Sequence, residues 1–120
     1  MKRKRYSYEE IYRKMNRLME QKRLYLQPGI TRDIVAREVL TNRTYITRAL
    51  RAKGFSFTQF VNSFRVAYAL KLMADERYRD ASPADIAEMS GFSSVDTMSR
   101  CIKKCSGFSA GVLRERMAGG

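Results

Sequence analysis

Apolar residues recur along the chain at intervals of three and four, the spacing that places them on one face of an α-helix. In the first such stretch, Ile11, Met15 and Met19 follow Ser7 and Glu10, which have the Ser-x-x-Glu spacing of a capping box. A capping box satisfies two backbone N–H groups at a helix start, so this pattern predicts an amphipathic helix close to the N-terminus.

Similar start and stop signals recur along the chain, and strand signals are nearly absent. Ser82, Pro83 and Asp85 give the strongest start, because they combine an N-cap hydroxyl, a proline at the first helical position and a capping-box carboxylate. Gly54 and Gly107 are placed to end helices in the left-handed conformation. The chain is therefore predicted to be all-α with seven helices, at about 8–22, 32–39, 42–52, 57–75, 83–91, 94–104 and from Ser109 onward.

Two further capping boxes open longer helices. Ser56 with Gln59 precedes the longest predicted helix, and Ser93 with Asp96 is expected to open the sixth. On the longest helix, helical periodicity assigns six side chains to the core: Phe60, Val61, Phe64, Tyr68, Leu72 and Met73.

A helix–short turn–helix pattern occurs twice, about fifty residues apart. Ala36 of the first copy matches Ala87 of the second, and Leu40 matches Gly91 in the turn. The aligned positions in the second helices are Ile46, Arg48 and Leu50 with Met98, Arg100 and Ile102, and both copies end in Gly-Phe-Ser. A break this short sets two helices at roughly 90–120°. The second helix of such a pair can stand out from the domain and enter the major groove of B-DNA.

The charge of the chain points to a polyanionic partner. Its 120 residues include 24 Lys and Arg against 12 Asp and Glu, a net charge of +12. Nucleic acid is the first candidate and an anionic membrane surface the second. No uninterrupted apolar run exceeds five residues, which excludes membrane insertion.

The positive charge is concentrated toward the N-terminus. Residues 1–27 carry net +6, residues 28–80 net +5 and residues 81–120 only net +1. We therefore expect the first repeat and the N-terminal segment, with Lys2, Arg3, Lys4 and Arg5, to provide most of the attraction to phosphate. The second repeat is expected to add selectivity.

Catalysis and metal binding are not indicated. The chain has no histidine, and its two cysteines, Cys101 and Cys105, lie within one predicted helix, so a zinc site would lack ligands. The cysteines are interpreted as packing residues in preference to a redox switch. With no nucleophile and base in evidence, the chain is predicted not to be an enzyme and to need no cofactor or metal.

The exposed faces of the two second helices carry the residues expected to bind DNA. Guanidinium groups fit guanine and phosphate, and hydroxyls suit bases or phosphates. The candidate DNA-binding residues are Asn42, Arg43, Thr44, Thr47, Arg48 and Arg51 in the first repeat, and Ser94, Val95, Asp96, Thr97, Arg100, Lys103 and Lys104 in the second. The competing interpretation is an ordinary helical hairpin within a bundle.

At these residues the sequence resembles the DNA-binding domain of the AraC/XylS family of bacterial transcription regulators. The stretch "IAEMSGFSSVDTMSRCIKKCSGFS" resembles the family signature, and "SFTQFVNSFRVAYALKLM" is similar to the family's linker helix. The resemblance covers about residues 24–116 and implies two homeodomain-like helix-turn-helix units in tandem. The implied organisation is a basic N-terminal segment (1–23), a first unit (31–53), a linker helix (57–75), a second unit (82–105) and a C-terminal tail (117–120).

The resemblance also implies a function. A member of this family would bind double-stranded DNA sequence-specifically, reading two adjacent major-groove segments, in the cytoplasm and associated with the nucleoid. RNA polymerase and a covalently attached sensor or dimerisation domain are the further partners it implies. The family's base-reading positions fall on Thr44, Thr47 and Arg48, then on Val95, Asp96, Thr97 and Arg100. Leu40 stands where the family usually has a turn glycine, which predicts strain in the first turn.

Two alternatives remain open from the sequence. The N-terminal segment is a junction to another domain, a grip on phosphate, or a solvated charged helix. The whole chain is alternatively a protein-interaction module that retains the helix-turn-helix fold with only non-specific DNA affinity. Asp96 and the nearly neutral last third of the chain motivate that second interpretation.

Overall fold

The computed structural model describes residues 7–119, so the predicted phosphate-binding run Lys2–Arg5 and the final residue of the tail lie outside the described residues. Between residues 7 and 119 the chain forms seven α-helices and no strand, which confirms the predicted fold class. The helices are α1 (Tyr8–Lys22), α2 (Arg32–Glu38), α3 (Arg43–Ala52), α4 (Phe57–Ala74), α5 (Pro83–Met89), α6 (Val95–Ser106) and α7 (Ala110–Gly119). Short 3-10 helices occupy Leu24–Leu26 and Glu76–Tyr78.

Helix starts agree with the predicted caps, with one exception. The Ser82 hydroxyl accepts a hydrogen bond from the Asp85 N–H, and the Asp85 carboxylate accepts one from the Ser82 N–H, each at 3.1 Å. The expected box of Ser93 and Asp96 does not open α6, because Ser94 is the N-cap. Phe92 turns into the core of the second unit, and this takes one more residue before the helix starts.

The chain divides into two compact units after Val61. In the first unit, α1 and α2 both pack against α3. The side chains of Ile11, Met15 and Met19 bury one face of α1, so α1 is part of this unit's core. At each end of α1 an ion pair adds to that contact, between Glu9 and Lys53 at 2.7 Å and between Lys22 and Glu38 at 2.8 Å. The hydrogen bond from Lys53 lowers the pKa of the Glu9 carboxyl.

The second unit has its own core, to which α4, α5 and α6 contribute. Helix α7 packs against α6, and its Arg114 holds the segment between α4 and α5. One terminal nitrogen of the Arg114 guanidinium donates to the carbonyl oxygens of Tyr78 and Arg79, both at 3.1 Å, and of Ala81 at 2.6 Å. Three carbonyls that follow the end of α4 are thereby satisfied by one cation.

Helix α4 supplies both cores. Phe60 and Val61 are buried in the first unit, and Phe60 lies against the Tyr12 ring with centroids 5.9 Å apart. The second core takes Val66, Ala69, Leu72 and Met73. The predicted core positions Phe64 and Tyr68 are only partly buried, and Val66 and Ala69 are buried although the prediction omitted them. The prediction assumed one apolar stripe along α4, whereas α4 contributes side chains to two cores.

No helix among the described residues has the length and apolar character to cross a bilayer.

The two helix–turn–helix segments close with the same backbone bonds. The Thr41 N–H donates to the Ala36 carbonyl at 2.9 Å, and the Phe92 N–H donates to the Ala87 carbonyl at 3.0 Å. This six-to-one bond is the mark of a Schellman C-cap, which requires a left-handed residue before it. That residue is Gly91 at φ 83° in the second turn and Leu40 at φ 59° in the first. The strain predicted for the first turn is therefore present as a left-handed leucine.

We predict that Leu40→Gly stabilises the first unit. A left-handed conformation costs a leucine about 1–2 kcal/mol, and glycine avoids that cost. Because glycine loses more conformational entropy on folding, the expected net increase in the free energy of unfolding is about 0.5–1 kcal/mol. Chemical denaturation of the two proteins would measure the difference. The reciprocal variant Gly91→Ala should lose about 1–2 kcal/mol. A destabilised Leu40→Gly protein would contradict this account of the turn.

We also predict that Arg114→Ala destabilises the second unit by about 1.5–3 kcal/mol, the range for hydrogen bonds to a charged group. Arg116→Ala is the matched control, because Arg116 is exposed and lies over the Phe108 ring at 4.5 Å, a contact that contributes about 0.5–1 kcal/mol. Equal losses in the two variants, measured by denaturant unfolding, would show that the carbonyl contacts of Arg114 add nothing.

Candidate nucleic-acid interface

Helix α3 has one buried face and one exposed face. Ile46, Ala49 and Leu50 are buried in the core of the first unit. At the start of the helix, the Asn42 side-chain carbonyl accepts a hydrogen bond from the Tyr45 N–H at 3.0 Å. Asn42, one of the predicted DNA-binding residues, therefore has a structural role as the N-cap.

The exposed face of α3 forms one wall of an open basic groove. Thr47 is half-buried in it, whereas the other α3 residues of the groove are exposed. Six side chains line this groove, which we call the reading groove: Arg32, Arg43, Thr44, Thr47, Arg48 and Arg51. Five of the six predicted residues of the first repeat are thus brought together, and no carboxylate from the described part of the chain lines the groove.

Arg32 also lines the groove, and it is not among the predicted residues. It is the first residue of α2, next to the N-cap Thr31, and its guanidinium donates to the Thr47 hydroxyl at 3.4 Å. A positive side chain at a helix N-terminus is electrostatically unfavourable, because that end of the helix dipole is itself positive. An arginine at a position that disfavours it was the available sequence signal for a second role.

Thr47 connects the two helices that form the groove. Its hydroxyl donates to the Arg43 carbonyl at 3.1 Å and accepts from Arg32. The hydroxyl proton is thereby engaged within the protein, so Thr47 positions Arg32 and presents its oxygen only as an acceptor. Asp33 lies 3.9 Å from Arg43 at the edge of the groove, and both side chains of this pair are well exposed.

Helix α6 is the counterpart of α3 in the second unit, and its predicted residues fall into two groups. Ser94 caps the helix by accepting from the Thr97 N–H, and its hydroxyl also donates to the Thr97 hydroxyl at 3.0 Å. Val95 packs against the second core and is only partly exposed. The charged members are exposed at the surface: Asp96, Arg100, Lys103 and Lys104.

The two faces therefore differ in electrostatics. The reading groove has four arginines, whereas the α6 face combines three cations with the carboxylate of Asp96. Asp96 is in the first turn of α6, where a negative charge favours the helix dipole by about 0.3–1 kcal/mol. Asp96 thus stabilises its helix while lowering the positive potential of the face on which it lies.

The two cysteines lie on α6 and are both free. Cys101 packs against the second core, and its burial raises the pKa of the thiol, which keeps the thiol protonated at neutral pH. Cys105 is exposed. The position of Cys101 agrees with its interpretation as a packing residue, whereas the same interpretation of Cys105 is wrong, because that side chain is exposed.

Comparison with known proteins gives a family match over most of the chain. A family model described as a helix-turn-helix domain matches residues 35–116. The TCP pilus virulence regulatory protein of Vibrio cholerae serotype O1 is 33% identical over 66 residues, which make up 55% of this chain and 23% of that protein. The chain therefore spans about a quarter of the length of the curated relative that it matches.

Solved structures share the fold. A DNA-binding transcriptional dual regulator from Escherichia coli K-12 superposes with a TM-score of 0.73 at 18% identity, covering 100% of both chains. The DNA-binding domain of AdpA in complex with a target DNA gives a TM-score of 0.70 at 19% identity, over 91% of this chain and 93% of that one. An apo ToxT variant from Vibrio cholerae gives 0.69 at 21% identity, over 93% of this chain and 38% of that one.

The family match includes both repeats, and the resemblance first noted around Gly91 and Phe92 is confirmed by sequence and by fold. The chain belongs to the AraC-type helix-turn-helix family of DNA-binding domains.

Proposed function

We propose that this chain binds duplex DNA sequence-specifically, with α3 and α6 in two adjacent segments of the major groove, as part of a transcription regulator. The observation that carries the proposal is the reading groove. Its arginines and threonines lie along the exposed face of a helix whose opposite face is fixed in a core. This geometry presents hydrogen-bond donors of the type that reads guanine while the core holds the helix rigid.

Within the first unit we assign different roles to the arginines. Arg48 is on the exposed face of α3, one turn after Thr44, and we assign it a bidentate contact to guanine. Arg32 lies at the start of α2, and we assign it to a backbone phosphate on the edge of the groove. The hydrogen bond between Arg32 and Thr47 would then fix the position of α3 relative to that phosphate.

The second unit makes a smaller electrostatic contribution in this proposal. Arg100 aligns with Arg48 in the repeat, but Asp96 lies one turn before it on the same helix. We assign α6 to selectivity, with Asp96 accepting a hydrogen bond from cytosine N4. Because α3 and α6 present different side chains, one chain would read an asymmetric site.

The proposal extends to the whole regulator. The chain covers only part of a relative named as a virulence regulatory protein, and a separate sensor or dimerisation domain would supply the control of DNA binding. RNA polymerase is the further partner, and the setting is the cytoplasm, with the protein associated with the nucleoid.

A second candidate function is a protein-interaction module with only non-specific DNA affinity. The partial burial of Val95 and Thr97 and the carboxylate of Asp96 favour it for the second unit. Selection of bound duplexes from a random DNA pool separates the two candidates. Enrichment of one asymmetric sequence supports specific binding, and recovery of random sequences at every round would leave only the interaction module.

We predict that Arg48→Ala weakens binding to the selected sequence by about 1–3 kcal/mol and relaxes the preference at one base position, because a bidentate base contact is lost. Arg100→Ala should cost less, since Asp96 lies beside it. Arg37→Ala is the control of equal charge, because Arg37 is exposed on α2 but does not line the groove. Fluorescence anisotropy measures the affinity for the selected and the random duplexes. Equal losses of affinity on both would mean that Arg48 contacts a phosphate and not a base.

We predict that Asp96→Asn raises affinity for random DNA, because one negative charge is removed from a face that approaches phosphates. Asparagine keeps the shape of the side chain, so the comparison isolates the charge. The measurement is again anisotropy at several salt concentrations, with thermal unfolding as a check on the lost dipole interaction. An unchanged random-DNA affinity would mean that the α6 face does not approach the DNA backbone, and a fall would contradict the charge argument.

A further inference from the structure

Leu40 is unusual in two independent ways. Its backbone is left-handed at φ 59°, a conformation that leucine rarely adopts, and its side chain is 81% exposed to solvent. The strain is therefore not offset by any burial of the leucine within the described part of the chain. A strained residue of this kind is characteristic of functional surfaces.

The leucine lies on a second groove of the first unit. Helix α1 contributes its outer face to this groove, and the end of α2 contributes the opposite wall. The lining residues are Lys14, Arg17, Leu18, Gln21, Glu38, Val39 and Leu40, and we call this surface the Leu40 groove. None of them lines the reading groove, so the two surfaces are distinct.

The Leu40 groove has apolar surface beside positive charge. Leu18 is half-buried and Leu40 is exposed, and Arg17 is exposed beside them. The one acidic member, Glu38, is neutralised by its ion pair with Lys22 at 2.8 Å. A complementary ligand therefore needs an apolar surface for the leucines and negative charge for the exposed guanidinium of Arg17.

We propose that the Leu40 groove docks an amphipathic helix of another protein, one with an apolar stripe flanked by Asp and Glu. DNA does not fit this surface as well, because a phosphate satisfies Arg17 but leaves Leu40 without an apolar partner. A second copy of this chain fits less well too, because self-association would bring two basic surfaces together within a protein of net charge +12. The proposal goes beyond DNA binding and does not depend on it.

The test uses two synthetic 18-residue helical peptides as probes. Both carry leucine at positions i, i+3, i+4 and i+7, and they differ only in flanking residues, glutamate in one and lysine in the other. Methyl NMR of the protein would follow Leu40 and Leu18 during titration, and anisotropy would give the Kd. We expect the glutamate peptide to shift the methyl signals of both leucines. Its Kd should be lower than that of the lysine peptide by a factor of about ten or more.

Three variants make the test specific. Leu40→Gly and Leu40→Asn should each weaken binding of the glutamate peptide about tenfold, because the apolar contact is lost. Glycine also removes the backbone strain, so weaker binding by that variant is not a consequence of unfolding. Val112→Ala is the matched control, because Val112 is an exposed apolar side chain outside the groove, and it should leave peptide affinity unchanged.

Affinity of Leu40→Gly for the selected DNA should equal that of the unaltered protein, which separates this proposal from the one on DNA binding. Equal binding of the two peptides, no shift of the Leu40 methyls up to about 1 mM peptide, or undiminished binding by both Leu40 variants would overturn the proposal. Sedimentation velocity tests whether a second copy of this chain occupies the groove. A dimer that Leu40→Gly dissociates would identify the groove as a self-interface and would also overturn the proposal.

Discussion

Helices α3 and α6 each depend on being fastened by one face to a small core while the other face is left open. Ile46 and Leu50 provide that attachment for α3, and Met98 and Ile102 provide it for α6. A core of this size cannot be formed by two helices alone, because a pair of short helices buries too little apolar surface. Helix α1 supplies the missing surface in the first unit, and part of α4 does so in the second. The remaining architecture follows from this need for a third helix behind each helix–turn–helix pair.

The local signals of the sequence determined most of the fold. Capping residues, helix-ending glycines and apolar periodicity depend on neighbours within a few positions, so all seven helices were predicted close to their observed limits. The predictions that differ from the structure required knowledge of tertiary packing. Ser93 was assigned the cap of α6 because burial of Phe92 cannot be read from spacing, and Val66 and Ala69 were omitted from the core because a division of α4 between two cores is not visible in one periodic pattern.

The candidate site was predictable to a similar degree. Five of the residues expected on α3 lie together in the reading groove, because a helical face is a local property. Arg32 was missed because it comes from a different helix and reaches the groove only through the fold. On α6, the sequence could not show that Val95 is drawn into the core and that Ser94 and Thr97 hydrogen-bond to each other. The two repeats are thus alike in backbone and core but unequal in the surface that they present.

The continuity of α4 has a consequence for how this chain can be divided. Its residues pass from one core at Val61 to the other at Val66 within a single helix, with no loop between them. Proteases cut exposed, flexible segments, so this boundary offers no natural cleavage point. An isolated second unit would have to begin in the middle of a helix, with its first turn uncapped. Recombination that exchanges one repeat for another would need to preserve the helical phase across this junction, so the pair is expected to be inherited as one piece.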